Sequence, residues 1–256
     1  MYNYYSKEEI EILKEGGKVL AQIFEELEDF VEVGVAVKDI DIFVNKKIKE
    51  KGAVAATVGY TPQGAPYPFP SAVCVSINDQ IAHGISTDNP YVLKSGDVVS
   101  CDIVIQYKGF FVDACRTYGV GKLSRQDMEL IAVARITTDE AIKQAVVGNT
   151  TDDIGAVAEK TAKEYGFQTV KELGGHGVGR KIHDRPFVPS FKNSGFDDQI
   201  KEGMVLAIEP IINVGSWKMQ EGGDGYLYKT VDGKKSAQFE ETVLITKNGP
   251  EILTKL

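Results

Sequence analysis

The segment from Val33 to Gly52 returns in altered form 114 residues later, and a chain that repeats a helix pattern together with its flanking glycines is constrained to a doubled fold. Val33-Gly34 answers to Val147-Gly148, and Asp39-Ile40 to Asp153-Ile154. Lys46, Lys49, Glu50 and Gly52 answer to Lys160, Lys163, Glu164 and Gly166, which makes eight identities in twenty aligned positions. The echo predicts two related halves, roughly residues 1–120 and 121–256, around a pseudo-two-fold axis. With 256 residues, 43% of them hydrophobic, both halves fit into one domain with a sizeable core.

Periodicity fills in the elements. Ser6 and Glu9 have capping-box spacing, and Ile10, Leu13, Leu20, Ile23, Phe24 and Leu27 follow with helical period, predicting a helix from Ser6 to about Phe30. A shorter helix follows Gly34 and stops at Gly52. The prolines between Gly59 and Pro70 remove donors and fix φ, so this stretch reads as a long loop. β-like runs begin at Ala72 and continue through Val98–Tyr107 and Gly109–Tyr118. Residues 124–166 return to two helices, and strands resume to the end, with Val205–Ile212 and Phe239–Thr246 the clearest. Helices, strands, helices, strands is an α+β order.

The net charge of −8 excludes the basic face that nucleic-acid binding needs. Cys74, Cys101 and Cys115 have neither disulfide nor zinc spacing, which fits a reducing cytoplasm. Met1–Ile10 shows no apolar signal core, and no apolar run approaches the ~18 residues of a membrane span. A cytoplasmic protein with no membrane contact is expected.

Chemistry concentrates on few residues. All three histidines, His83, His176 and His183, lie in or beside glycine-flanked loops, and Gly174–Arg180 carries four glycines that let backbone approach a ligand closely. Acidic positions sit in apolar or turn-bounded runs: Asp102, Asp113, Glu209 before Pro210, and the pair Glu240-Glu241. A tight turn at Lys108-Gly109 would pair Asp102 with Cys115 and leave Asp113 one diagonal step away on the same face. Alternation sends one of Glu240 and Glu241 inward and the other to solvent. Asp102, Asp113, Glu209 and one glutamate of that pair could not all ionise together without cations, and two divalent ions would balance them. Oxygen ligands with one imidazole suit manganese, iron or cobalt better than structural zinc.

Taken together, Cys74–Asp79 with His83-Gly84, Gly96–Asp102, Phe110–Asp113, Gly175–His183, Glu202–Pro210 and Ser236–Glu240 resemble the methionine aminopeptidases, in their short bacterial type I form, over nearly the whole length. The resemblance implies the pita-bread fold and a single catalytic domain whose two α/β halves face a metal cleft. It implies two divalent ions per chain (cobalt, manganese, iron or zinc), held by Asp102, Asp113, His176, Glu209 and Glu240, with Asp113 and Glu240 bridging. It selects Glu240 as the inward glutamate. His83 and His183 would touch substrate, and Glu209 would relay a proton while a metal-bridging hydroxide attacks the first peptide bond. Tyr60, Phe69, Cys74 and Tyr226 correspond to the methionine pocket, with Ile182 and Tyr226 standing where aromatic residues and tryptophan are frequent. The implied activity is removal of the N-terminal methionine from peptides and nascent chains whose second residue is small, by a monomer in transient contact with the ribosome.

Two other readings compete. Proline-specific peptidases share the fold but usually carry an extra N-terminal domain, whereas residues 1–70 offer two helices and a loop. A non-catalytic binding module of this fold normally lacks ligands, and all five are present here. A type II enzyme would carry an insertion of some sixty residues between His183 and Glu209; only 25 residues intervene.

Overall fold

The computed structural model describes residues 5–256; residues 1–4, on which part of the reading of the N-terminus as free of a signal core falls, lie outside the described residues. Three of the four helices, α1 (Lys7–Glu28), α2 (Val37–Glu50), α3 (Arg125–Ile142) and α4 (Thr151–Glu164), start on capping boxes. In α1 the Ser6 hydroxyl accepts from the Glu9 amide while Glu9 accepts from the Ser6 amide, so two orphan donors are satisfied at once. Helix α2 has no side-chain cap; its first amides donate instead to the carbonyls of Tyr91 and Asn89. Helix α4 starts and ends 114 residues after α2, and both are bracketed by glycines with positive φ, Gly34 and Gly52 on one side and Gly148 and Gly166 on the other.

The strands are β1 (Val54–Ala55), β2 (Cys74–Ile77), β3 (Gln80–Ala82), β4 (Val98–Tyr107), β5 (Phe110–Gly119), β6 (Gln168–Thr169), β7 (Gly175–Gly177), β8 (Asp184–Val188), β9 (Val205–Ile208), β10 (Ile211–Asn213), β11 (Met219–Glu221), β12 (Tyr228–Thr230), β13 (Ser236–Gln238), β14 (Glu241–Thr246) and β15 (Gly249–Ile252). The hairpin β4–β5 turns on Lys108 and Gly109, both with positive φ, which is the two-residue turn the sequence predicts. Its register pairs Asp102 with Cys115 and Val104 with Asp113. Strands β2 and β1 join the other edge of β4, and helices α1 and α2 cover this sheet with Leu20, Ile23, Leu27, Ile40 and Ile48. A second sheet runs β15-β14-β9-β7-β8, backed by Ile154 and Ala158 of α4. The rest of the chain forms two three-stranded sheets, β13-β10-β6 and β11-β12-β3.

Two predicted strands are broken where the chemistry lies. Val205–Ile212 divides at Glu209-Pro210, and Phe239–Thr246 begins only at Glu241. Proline cannot donate to a ladder, so β9 ends before it and the Glu209 side chain is released from the alternation of a continuous strand. The loop from Gly59 to Val73 holds no helix or strand, as expected. One expectation fails: Glu240 and Glu241 are both buried, at 1% and 0% exposure, so neither faces solvent. Glu241 escapes the rule because it meets two partly buried guanidinium groups, and a paired charge need not seek water.

Candidate metal centre

Strand β4 brings Asp102, β5 brings Asp113, β7 brings His176, and the breaks after β9 and before β14 bring Glu209 and Glu240. Asp113, His176 and Glu240 offer ligand atoms that all lie within 4.8 Å of one another. Glu209 Oε1 stands 3.5 Å from His176 Nε2, and Asp113 Oδ2 stands 3.8 Å from the same nitrogen. Asp102 lies beside Asp113, close enough for the two carboxyls to influence each other's ionisation. All five side chains therefore meet in one place.

Local geometry makes that convergence possible. A Cβ at Gly175 would lie 2.1 Å from the Ala207 carbonyl oxygen, so only glycine lets β7 approach β9 closely enough to deliver His176. A Cβ at Gly84 would lie 2.0 Å from the Val75 carbonyl oxygen, and the neighbouring His83 has φ of 60°, which turns its ring toward the cleft. The Thr242 hydroxyl accepts from the Asp113 amide and donates to the Asp113 carbonyl, fixing that residue's main chain at both ends.

Electrostatics sets the terms for any occupant. Burial pushes the Asp102 carboxyl up to about 7, and burial followed by mutual repulsion drives Asp113, Glu209 and Glu240 well above the usual carboxylate range. Burial lowers His176 to about 3 and His83 to about 4, and lowers His183 as well, so the imidazoles are neutral. His176 Nδ1 lies 3.0 Å from the Gly177 carbonyl, which accepts its proton and leaves an Nε2 lone pair turned toward carboxylate oxygens. Lone pairs facing lone pairs repel unless a proton or a cation lies between them, and since the neutral imidazole supplies no proton there, either a raised carboxyl keeps one or a cation takes its place. In addition Asp113 Oδ1 and Glu240 Oε1 are buried without any hydrogen-bond partner, a cost of about 1–3 kcal/mol each. Neutral nitrogen, orphaned oxygens and an acidic surround fit divalent cations.

The cluster floors a cavity of about 220 Å³. One wall is apolar: Tyr60, Pro62, Phe69, Cys74, Ile182 and Tyr226 line it. Phe69, Cys74 and Tyr226 form a small buried cluster of their own, and Cys74 pairs directly with Asp102 across the sheet. The Tyr226 hydroxyl donates to the Tyr67 carbonyl and the Tyr67 hydroxyl to the Asp224 carbonyl, so the proline-rich loop is tied to the 222–227 loop. His83 and His183 line the cavity as well. The Tyr60 hydroxyl lies 2.9 Å from His183 Nδ1. Thus every residue named in the sequence as a ligand, substrate contact or pocket wall lines this cleft.

Three neighbours went unassigned in the sequence. Gln238 donates from Nε2 to Glu209 Oε2 at 3.0 Å, Arg116 reaches the Glu240 carbonyl at 2.7 Å, and Arg135 pairs with Glu241 at 2.7 Å. Gln238 lay within a stretch already noted for its resemblance, and a carboxamide in an apolar strand was the signal for it. Nothing in the spacing of the two arginines pointed to the site.

Comparison with known proteins agrees with this geometry. The family model for metallopeptidase family M24 matches residues 11–247. A methionine aminopeptidase of Aquifex aeolicus is 39% identical over 254 residues, covering 98% of each chain. The crystal structure of a methionine aminopeptidase from Thermotoga maritima superposes with a TM-score of 0.94 at 35% identity, covering 100% of both chains. A prolidase from Pyrococcus furiosus shares the pita-bread fold, with a TM-score of 0.74 at 24% identity, but this chain spans only 65% of it.

Proposed function

Because the chain belongs to metallopeptidase family M24 and, within it, to the type I methionine aminopeptidases, we propose that the buried cluster holds two divalent cations and that the apolar wall receives the methionine side chain. The chain removes the N-terminal methionine of its substrates by metal-dependent hydrolysis. The observation that carries the assignment of residues is the meeting of Asp113, His176 and Glu240 within 4.8 Å, two of them with orphaned oxygens. In this reading Asp102, Asp113, His176, Glu209 and Glu240 would hold the ions. Bound cations would supply an acidified water and polarise the first peptide carbonyl.

The remaining chemistry belongs to side chains. Tyr60, Phe69, Cys74, Ile182 and Tyr226 bury a thioether and exclude water from one side of the scissile bond. Glu209, with Oε2 held by Gln238 and its carboxyl raised by burial, is the group that would take a proton and hand it to the leaving amine. In the tautomer whose Nδ1 accepts from the Tyr60 hydroxyl, His183 would carry its proton on Nε2 and present a donor to the oxygen that gains charge. His83 offers a second neutral imidazole to the cleft. Among the described residues no helix is long and apolar enough to cross a membrane.

Two outcomes follow. A Met-Ala-Ser peptide is expected to be cleaved after methionine, and an Xaa-Pro peptide to be left intact under the same conditions; preferential cleavage before proline would overturn the assignment. Tyr60→Phe keeps the aromatic wall but frees the His183 tautomer, so kcat/KM for Met-Ala-Ser should fall about fivefold, the worth of one hydrogen bond near 1 kcal/mol. Metal content measured on the same sample should not change.

A further inference from the structure

Glu241 lies beside a proposed ligand yet points away from the cleft, into a closed ionic cluster. Its Oε1 accepts from Arg135 at 2.7 Å, and its Oε2 accepts from Arg116 at 2.8 Å and from the Thr254 hydroxyl at 2.5 Å. The same Arg116 guanidinium reaches past Glu241 to main chain. It donates to the carbonyls of Glu240 at 2.7 Å, Cys115 at 2.9 Å and Thr254 at 2.9 Å. Glu240 and Cys115 also exchange backbone hydrogen bonds, 3.1 and 3.4 Å long. The Thr254 hydroxyl accepts from the amide of Thr242, the residue whose own hydroxyl clasps Asp113.

This arrangement is more than a surface ion pair. The Glu241 side chain is 1% exposed and that of Arg116 16%, so both charges are taken out of water, which costs several kcal/mol unless every partner is well placed. A hydrophobic cluster could fill the same space. What a guanidinium adds is a rigid fork of donors, and here the fork joins β5, which carries Asp113, to the segment just before β14 that carries Glu240. Glu241 is the counter-charge that keeps the fork aimed; Phe24, 5.0 Å from the guanidinium centre, stacks on it.

We propose that Arg116 and Glu241 are positioning residues for the reaction, locking the main chain of Glu240 to that of Cys115 and so holding Glu240 and Asp113 at the spacing a shared cation needs. The inference rests on the reading of Asp113 and Glu240 as ligands. Neither Arg116 nor Glu241 touches the cation or the substrate; both act through the backbone of their neighbours. Thr254 extends the lock to the last residues of the chain.

The test is calorimetric titration of metal-free protein with manganese, well below the melting temperature, alongside the manganese dependence of Met-Ala-Ser hydrolysis. Glu241→Gln and Arg116→Lys should each raise the dissociation constant of at least one manganese about tenfold or more, as typical for groups that orient ligands. Turnover should then recover in excess manganese while KM for the peptide stays put. A merely structural role predicts a lower melting temperature with manganese binding unchanged. Folded Glu241→Gln and Arg116→Lys proteins that both bind manganese within about twofold of the parent would overturn the proposal. If Glu241→Gln does not fold, Thr254→Val, which deletes only the hydroxyl between Glu241 and the Thr242 amide, carries the same readout, and unchanged binding there has the same meaning. Glu240→Gln separates the two levels: should it leave manganese binding untouched, the ligand reading itself has failed, whereas loss of binding there with normal binding in the other variants sinks only the lock.

Discussion

Replacement of His176 by alanine is expected to lower kcat/KM for Met-Ala-Ser by about a hundredfold or more, the scale seen when a catalytic contact is removed. His176 is the only nitrogen in the ligand group, and its Nε2 faces Glu209 at 3.5 Å and Asp113 at 3.8 Å. Its Nδ1 bond to the Gly177 carbonyl sets the tautomer, and Gly175 allows the strand to sit where the ring can reach. Alanine leaves the strand pairing of β7 with β9 intact, so the melting temperature of the metal-free protein should move little. A variant that retains more than about a third of the parental rate would contradict the role given to this imidazole.

Metal removal should have the largest effect. Exhaustive chelation is expected to depress turnover about a thousandfold or more, since the cations supply several kcal/mol of charge stabilisation, and manganese or cobalt should restore it. Stability should follow the same ions. A carboxyl whose pKa is raised in the native state keeps a proton that the unfolded chain has already released near pH ~4, so it favours folding at low pH and loses that contribution as pH climbs through the folded value. Asp102, at about 7, and Asp113, Glu209 and Glu240, all raised well above the usual carboxylate range, act in this sense. The buried imidazoles act oppositely: with His176 at about 3 and His83 at about 4, it is the unfolded chain that gains protons below pH ~6.5. The two slopes oppose each other in acid, and above pH ~6.5 the carboxyls stand alone. The melting temperature of the metal-free protein should therefore fall between pH ~6.5 and ~8, and saturating manganese should abolish the fall and raise the melting temperature by roughly 5–10 °C. A flat or rising profile without metal would show that the carboxyls are not crowded as described.

The parts of this site that were legible in the sequence are those set by local rules. The Lys108-Gly109 turn fixed the register that puts Asp102 opposite Cys115 and Asp113 one step away, because a two-residue loop leaves no freedom to slip. The echo at an offset of 114 located α2 and α4 with matching ends, since glycines at both flanks stop a helix whatever the tertiary context. The resemblance to a known family supplied the proposed ligand set and pocket, which composition alone could not. What stayed hidden depends on contacts between distant segments. Strand alternation sent one of Glu240 and Glu241 to water, but a strand covered on both sides has no wet face, and Arg116 and Arg135 make burial of Glu241 affordable. The breaks at Glu209 and Glu240 were likewise invisible, because continuous apolar runs read as continuous strands.

Anomalous scattering from a crystal grown in manganese addresses the proposed two-cation centre most directly. Two manganese peaks about 3.5–4 Å apart are expected, ringed by oxygens of Asp102, Asp113, Glu209 and Glu240 and by Nε2 of His176. Absence of manganese from that cleft, with those five side chains splayed beyond coordination distance, would contradict it.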